Sequence, residues 1–221
     1  VESCSIPVTV KNRIGVDEQD SYDSLCTFIG KVSEAGCETF IIHARKAWLQ
    51  GLSPKQNREI PPLMYDRVYQ LKRDFPNLEI IINGGVQSLD EAEQHLRHVD
   101  GVMLGRQGYH EPFLLAEADN RFFADAHPRP DRLLVLEQFA EYARCQVTDG
   151  VRLNHMTRHI LGLYTGQPGA RGFRRYISEN AWRDVDCDQF FTALALLMSS
   201  RSNPVVSTYV ADNKFLSISS S

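Results

Sequence analysis

Asn83-Gly84-Gly85 and, one strand later, Gly105-Arg106 are the residues whose types and spacing best suit chemistry in this chain. Glycine backbones let amides approach an anion closely, and arginine offers a planar fork of N–H donors, so together they suit a phosphate. Ser88 and Glu91 behind the first glycine pair have capping-box spacing, and Leu89, Ala92 and Leu96 continue at helical intervals. A helix N-terminus should therefore follow the loop and bring the positive end of its dipole to the same place. The plain alternative is two glycine turns that hold nothing.

Both loops end strands. Leu78 to Ile82 is a β-branched run, and Val99 to Leu104 is a second apolar one. Upstream, Ile6 to Arg13 alternates, with Val8 and Val10 on one face and Thr9, Lys11 and Arg13 on the other. Thr39 to Arg45 again closes an apolar body with polar groups, and His43 takes the relative place of Lys11. Taken singly, Lys11 could be a solvent-facing lysine of an edge strand and His43 a hydrogen-bonded rim residue. Helices are expected between the strands. Leu25, Phe28, Ile29 and Val32 recur at helical spacing before Ala35-Gly36, and Tyr65 to Phe75 repeats the pattern before Pro76. Right-handed crossovers then place all four strand ends on one side of one parallel sheet. Two phosphate-type loops late in a βα series match the phosphate site of a (β/α)8 barrel, in which Lys11 would point inward at the carboxyl rim.

Two further regions carry exposed cations. Lys46 to Leu63 is a long loop without apolar period; it holds Lys55, Asn57 and Arg58, whose charges could meet a polyanion or simply be solvated. Past Pro128-Arg129-Pro130 the pattern becomes helical, from Leu133 onward and then over Leu153 to Tyr164, Ala170 to Trp182 and Gln189 to Met198, with the linker within Asp125 to Asp131. Val151 to Tyr176 contains Arg152, Arg158, Arg171, Arg174 and Arg175 and no acid. Arg171, Arg174 and Arg175 share one helix side, as a positive face or a solvated one. The serine-rich residues 199–221 have no period and are expected to be disordered or marginal.

The 221 residues, 43 % hydrophobic and 24 % charged with a formal charge of −4, suit a soluble globular protein rather than a general coat for nucleic acid. No apolar run approaches the roughly 20 residues a membrane span needs, and no leader pattern opens the sequence, so no membrane partner is expected. Five widely spaced cysteines without a C-x-x-C pair point to a reduced cytoplasmic setting. No zinc pattern occurs; His155 and His159, four apart on an expected helix, are a weak candidate, and no metal site is expected.

Pro7-Val8-Thr9-Val10-Lys11-Asn12-Arg13-Ile14-Gly15, Phe40-Ile41-Ile42-His43-Ala44-Arg45-Lys46, Ile82-Asn83-Gly84-Gly85 and Val102-Met103-Leu104-Gly105-Arg106 resemble the tRNA-dihydrouridine synthases. Gly51 to Pro62, Arg158 to Leu163 and Gly169-Ala170-Arg171 look like the A branch of that family. The resemblance implies an α/β then all-α chain: the C-terminal half of an FMN-binding (β/α)8 TIM barrel over 1–127, a helical bundle that binds tRNA over 128–198, and a tail over 199–221. It implies reduction of the C5=C6 bond of D-loop uridines, with NADPH recharging FMN. Lys11 and His43 would contact the flavin, while Asn83, Gly84, Gly85, Gly105 and Arg106 would hold its phosphate. Lys55, Asn57, Arg58, Arg171, Arg174 and Arg175 would meet tRNA. Counted against the family, these are the last four barrel strands, so the catalytic cysteine is expected outside this chain and no catalytic residue within it. Open barrel edges would then invite self-association. The competing readings are an incompetent fragment that only binds tRNA, and another phosphate-using barrel enzyme such as an aldolase or isomerase. The basic helical region argues against the last.

Overall fold

Alternate residues of the two central strands are buried, as side-chain alternation requires. In the computed structural model, which describes residues 5–183 and 185–202, Phe40, Ile42, Ile80 and Ile82 are fully buried. Their neighbours Ile41 and Ile81 point to the other face and stay partly exposed. Strands β1 (Thr9–Arg13), β2 (Thr39–His43), β3 (Glu79–Asn83) and β4 (Gly101–Met103) form one sheet in that order. All pairings are parallel. Helices α1 (Tyr22–Glu34), α2 (Tyr65–Asp74) and α3 (Leu89–Leu96) alternate with the strands. Leu25 and Ile29 of α1 and Val68 and Leu71 of α2 share one core with the buried strand residues, each burial stabilising by about 1.5–3 kcal/mol.

Register does the positioning. Lys11, Ile41, Ile81 and Gly101 lie level across the sheet, and Arg13, His43, Asn83 and Met103 lie level at the carboxyl ends. Among the described residues β1 and β4 each pair on one side only, so the sheet is open. β1 starts later than the run Ile6 to Arg13 but ends with it, and β4 is shorter than the run Val99 to Leu104 at both ends.

The helix boundaries follow local chemistry. Ser21 caps α1, accepting from the Ser24 N–H, and Ala35-Gly36 stops it with Gly36 at φ 95°. Ser88 Oγ accepts from the Glu91 N–H at 3.1 Å, as expected. The reciprocal bond differs: the Glu91 carboxylate accepts from the Gln87 N–H at 2.7 Å, one residue before the cap.

The chain divides into two compact units between Gln107 and Gly108, within the short helix α4 (Arg106–His110). The second unit contains a 3-10 turn (Pro112–Glu117) and helices α5 (Ala118–Phe122), α6 (Arg132–Thr148), α7 (Leu153–Thr157), α8 (Ala170–Asn180) and α9 (Cys187–Ser202). Phe113, Leu136, Ala140, Phe173, Ile177, Phe190 and Leu194 build its core. Asp131 caps α6 by accepting from the Leu134 N–H.

Three helix expectations change here. The helix expected over Leu153 to Tyr164 is only α7, followed by three-residue turns such as Ile160 N–H to Thr157 O and Leu163 N–H to Ile160 O. These turns carry Leu163 and Tyr164 into the core, at 2 % and 5 % exposure. Gly162 permits the path, since a Cβ there would lie 2.0 Å from His110 O. His155 and His159 therefore do not share a helix. Helix α8 stops at Asn180, leaving Trp182 exposed. Helix α9 continues through Ser202, because Met198 is buried in the core and the Ser199 hydroxyl donates to Ala195 O. The rest of the expected tail, 203–221, lies outside the described residues.

Candidate functional site

The carboxyl ends of the strands gather Lys11, Arg13, His43, Arg45, Asn83 and the Gly84-Gly85 turn in the first unit. Lys11 Nζ donates to Asn83 Oδ1 at 2.8 Å, and Asn83 Nδ2 donates to Met103 O at 2.8 Å. Asn83 is 8 % exposed. Its side chain thus ties β1, β3 and β4 together from the open face, with both polar atoms engaged. Burial, then Arg13, lowers the Lys11 pKa.

His43 sits within a group of cations. Burial first, and then Arg13, Lys11, Arg45 and Arg106, push its pKa down to about 4. It is therefore neutral near pH 7, with one ring nitrogen donating and the other accepting. Its Nδ1 is buried and has no hydrogen-bond partner among the described residues, and the same holds for Arg45 Nε. Arg13 and Arg45 themselves are lowered by burial first, then for Arg13 by Arg45 and Arg58. Glu59 is the carboxylate that acts on Arg45. Concentrated positive charge held half out of water is an environment for a polyanion.

The glycine turn is shaped from behind. Gly84 has φ 114° and Gly85 φ 78°. A Cβ on Gly84 would stand 3.1 Å from the His43 ring, and one on Gly85 would stand 2.6 Å from Leu63 Cδ1 and 2.9 Å from the Tyr65 hydroxyl. Tyr65 donates to Gly84 O at 2.8 Å and so fixes the direction of the turn. Neither the Gly84 nor the Gly85 N–H has an acceptor among the described residues. Gly105 is open, with nothing within 4 Å of a Cβ built on it. Arg106 Nη1 lies 2.7 Å from Glu59 Oε1 and its Nη2 donates to Arg58 O at 3.3 Å. Arg106 is thus held by the loop that carries Arg58 and Glu59.

Of the expected polyanion contacts, Lys55 and Arg58 are exposed and frame a 3-10 turn (Gln56–Arg58). Asn57 is engaged in the loop itself. It accepts from Trp48 N–H at 2.9 Å, donates to Trp48 O, and offers its own carbonyl to Arg13 at 2.9 Å. In the second unit Arg171, Arg174 and Arg175 are exposed on α8, and Arg175 pairs with Glu179 at 3.3 Å, just past the acid-free stretch. His159 Nδ1 lies 2.9 Å from the Tyr109 hydroxyl, and its Nε2 accepts from Arg158 at 3.1 Å.

Sequence reasoning passed over Arg13, Arg45, Glu59 and Tyr65 as site residues. The first two were findable, since each follows Lys11 or His43 by two residues and shares its face. Glu59 and Tyr65 act across 47 and 19 residues of chain, which spacing does not reveal.

A family model described as "Dihydrouridine synthase (Dus)" matches residues 1–196. The tRNA-dihydrouridine(20/20a) synthase of Escherichia coli (strain K12) is 55 % identical over 199 residues, covering 89 % of this chain and 58 % of that protein. The Salmonella typhimurium protein of the same description is 60 % identical over 199 residues, covering 89 % and 60 %. That of Vibrio cholerae is 59 % identical over 177 residues, covering 80 % and 54 %. The chain thus spans between 54 % and 60 % of the length of these relatives. A family model matched over residues 1–196, with relatives 55–60 % identical over most of the chain, places it in the dihydrouridine synthase family.

Proposed function

We propose that this chain forms the phosphate-holding rim of a (β/α)8 flavoenzyme that reduces uridine to 5,6-dihydrouridine in the tRNA D-loop, with FMN as cofactor and NADPH as electron donor. One observation carries the reading: the glycine turn, whose amides have no acceptor among the described residues, lies at the strand ends among Lys11, Arg13, Arg45 and Arg106. Such a turn suits the dianionic phosphate of FMN, and the partnerless His43 Nδ1 marks a buried polar atom that a ligand would satisfy. FMN, when bound, supplies the hydride for the uracil C5=C6 bond. Gly84, Gly85, Gly105 and Arg106 would hold the phosphate. Lys11 would place its charge, and neutral His43 its ring nitrogens, against the flavin. Asn83 would act through Lys11, holding the ammonium in place.

Lys55 and Arg58 in the first unit, and Arg171, Arg174 and Arg175 in the second, would neutralise tRNA phosphates, with Asn57 keeping the loop in shape. The proposed flavin domain, 1–127, thus reaches past the first compact unit into residues 108–127 of the second, and the proposed tRNA domain is 128–198. A tRNA substrate supports a cytoplasmic setting; no described helix is long and apolar enough to cross a membrane. The test supplies the chain with FMN, NADPH and unmodified tRNA, and measures dihydrouridine in digested tRNA by mass spectrometry. Dihydrouridine above the no-enzyme control supports the reading.

The open edges at β1 and β4 favour a second reading, a chain that binds tRNA without turnover, or whose copies pair through those edges. Salt-sensitive tRNA binding with no dihydrouridine would select it.

A further inference from the structure

The second unit holds a cavity of about 590 Å³ that the proposed chemistry does not use. Phe113, Arg129, Arg132, Tyr164, Gln167 and Met198 line it, together with the α6 cap Asp131. Its size is that of a small-molecule pocket rather than of a single ion.

Two groups in it are fixed without being fully engaged. Arg132 donates through Nε to Leu163 O at 2.9 Å, and its guanidinium carbon stands 3.8 Å over the centre of the Phe113 ring. These contacts hold the guanidinium while its two terminal amino groups keep no partner among the described residues. Tyr164 is 5 % exposed, and no described residue hydrogen-bonds its hydroxyl. Burial, then the Asp131 carboxylate, pushes the Tyr164 pKa up to about 12, so the hydroxyl remains a donor at neutral pH. The hydroxyl is not sealed in the core but opens to the cavity that Tyr164 lines, where a ligand atom can reach it.

A fork of N–H donors beside a phenol O–H is the donor set for an oxyanion. Arg129 adds little charge, because it pairs with Glu117. Asp131 decides the rest of the ligand. One of its oxygens accepts from the Leu134 N–H, and the carboxylate disfavours a ligand that is anionic all over. It favours one with an N–H edge as well, and Gln167 can read such an edge with both a donor and an acceptor. Phe113 and Met198 supply apolar wall for a flat body.

We propose that this cavity binds a nucleotide, its phosphate on Arg132 and Tyr164 and the polar edge of its base toward Asp131 and Gln167. Whether that nucleotide is free or a unit of RNA, the chemistry is shared; only the RNA source rests on the proposed function.

Tyr164→Phe removes one oxygen that no described residue bonds, so folding is preserved; Arg132→Gln removes the fork. Adenosine 5′-monophosphate is titrated by equilibrium dialysis into the full chain and both variants, and an unmodified tRNA transcript by filter binding. Adenosine monophosphate binding that weakens about fivefold or more in Tyr164→Phe and about tenfold or more in Arg132→Gln, with unchanged tRNA affinity, supports a free-nucleotide site. A parallel loss of tRNA affinity, with adenosine monophosphate competing, supports an RNA nucleotide. Absence of nucleotide binding, or affinities for both probes that are the same in wild type and Tyr164→Phe, overturns the proposal. Wild-type tRNA binding and dihydrouridine formation are read separately, so failure of this pocket leaves the proposed function standing.

Discussion

Replacing Arg106 by alanine separates a ligand-holding role from a structural one. In the folded chain Arg106 is paired with Glu59 at 2.7 Å, and the two side chains are 48 % and 46 % exposed. A pair so open to water contributes about 0–1 kcal/mol, so Arg106→Ala should leave the urea unfolding free energy within that range. A guanidinium on a phosphate contributes about 1.5–3 kcal/mol. Breaking the Glu59 pair to reach the phosphate offsets up to about 1 kcal/mol of it. The net loss is then about 0.5–3 kcal/mol, or a roughly two- to 150-fold rise in the FMN dissociation constant. Quenching of FMN fluorescence on titration reads that constant directly. Glu59→Gln removes the competitor and should tighten FMN by up to about fivefold. An Arg106→Ala chain that is folded and binds FMN as wild type does would remove Arg106 from the phosphate site.

Other perturbations probe the frame around it. Asn57→Ala should lower stability by about 1–3 kcal/mol through the two Trp48 backbone groups left unpaired, without changing the salt dependence of tRNA binding. Lys55→Ala or Arg171→Gln should do the reverse, each lowering the slope of log K against log salt by about 0.7–0.9 at unchanged stability, and filter binding across a salt series distinguishes the two patterns. Gly162→Ala should destabilise by more than about 3 kcal/mol in urea unfolding, because its Cβ meets a backbone oxygen that cannot swing away. His43, depressed to about 4 from 6.5, binds fewer protons folded than unfolded. Its contribution to stability is complete above about pH 6.5 and is lost as pH falls toward 4; His43→Gln should flatten stability against pH in that window, and an unchanged slope counts against the buried neutral imidazole.

Where a local rule determines structure, the sequence was readable. Phe40, Ile42, Ile80 and Ile82 alternate and are buried, Ser88 caps the helix it precedes, and Ala35-Gly36 ends the one before it. The order of the four parallel strands was legible, but the register was not: His43 was expected in the place of Lys11, whereas Arg13 lies level with His43 and Lys11 with Ile41. What resisted reading depends on distant partners. The apolar spacing from Leu153 to Tyr164 suits a helix as well as successive turns, and the choice lies with Gly162 against His110, 52 residues away. The type of Asn57 does not say whether it faces RNA or Trp48. Asn83 stood out as a phosphate ligand beside its glycines, yet its amide bridges Lys11 to Met103. Arg106 was legible as a cation, but its hold by Glu59 was not.

The central claim is that the Gly84-Gly85 turn and its surrounding cations hold the phosphate of FMN. The most direct measurement is the visible flavin absorbance of the purified chain after loading with FMN and desalting, followed by heat release and quantitation of flavin per chain. Close to one FMN per chain, falling in Arg106→Ala, is the predicted result. A colourless chain that takes up no FMN at saturating concentration would contradict it, even if tRNA still binds.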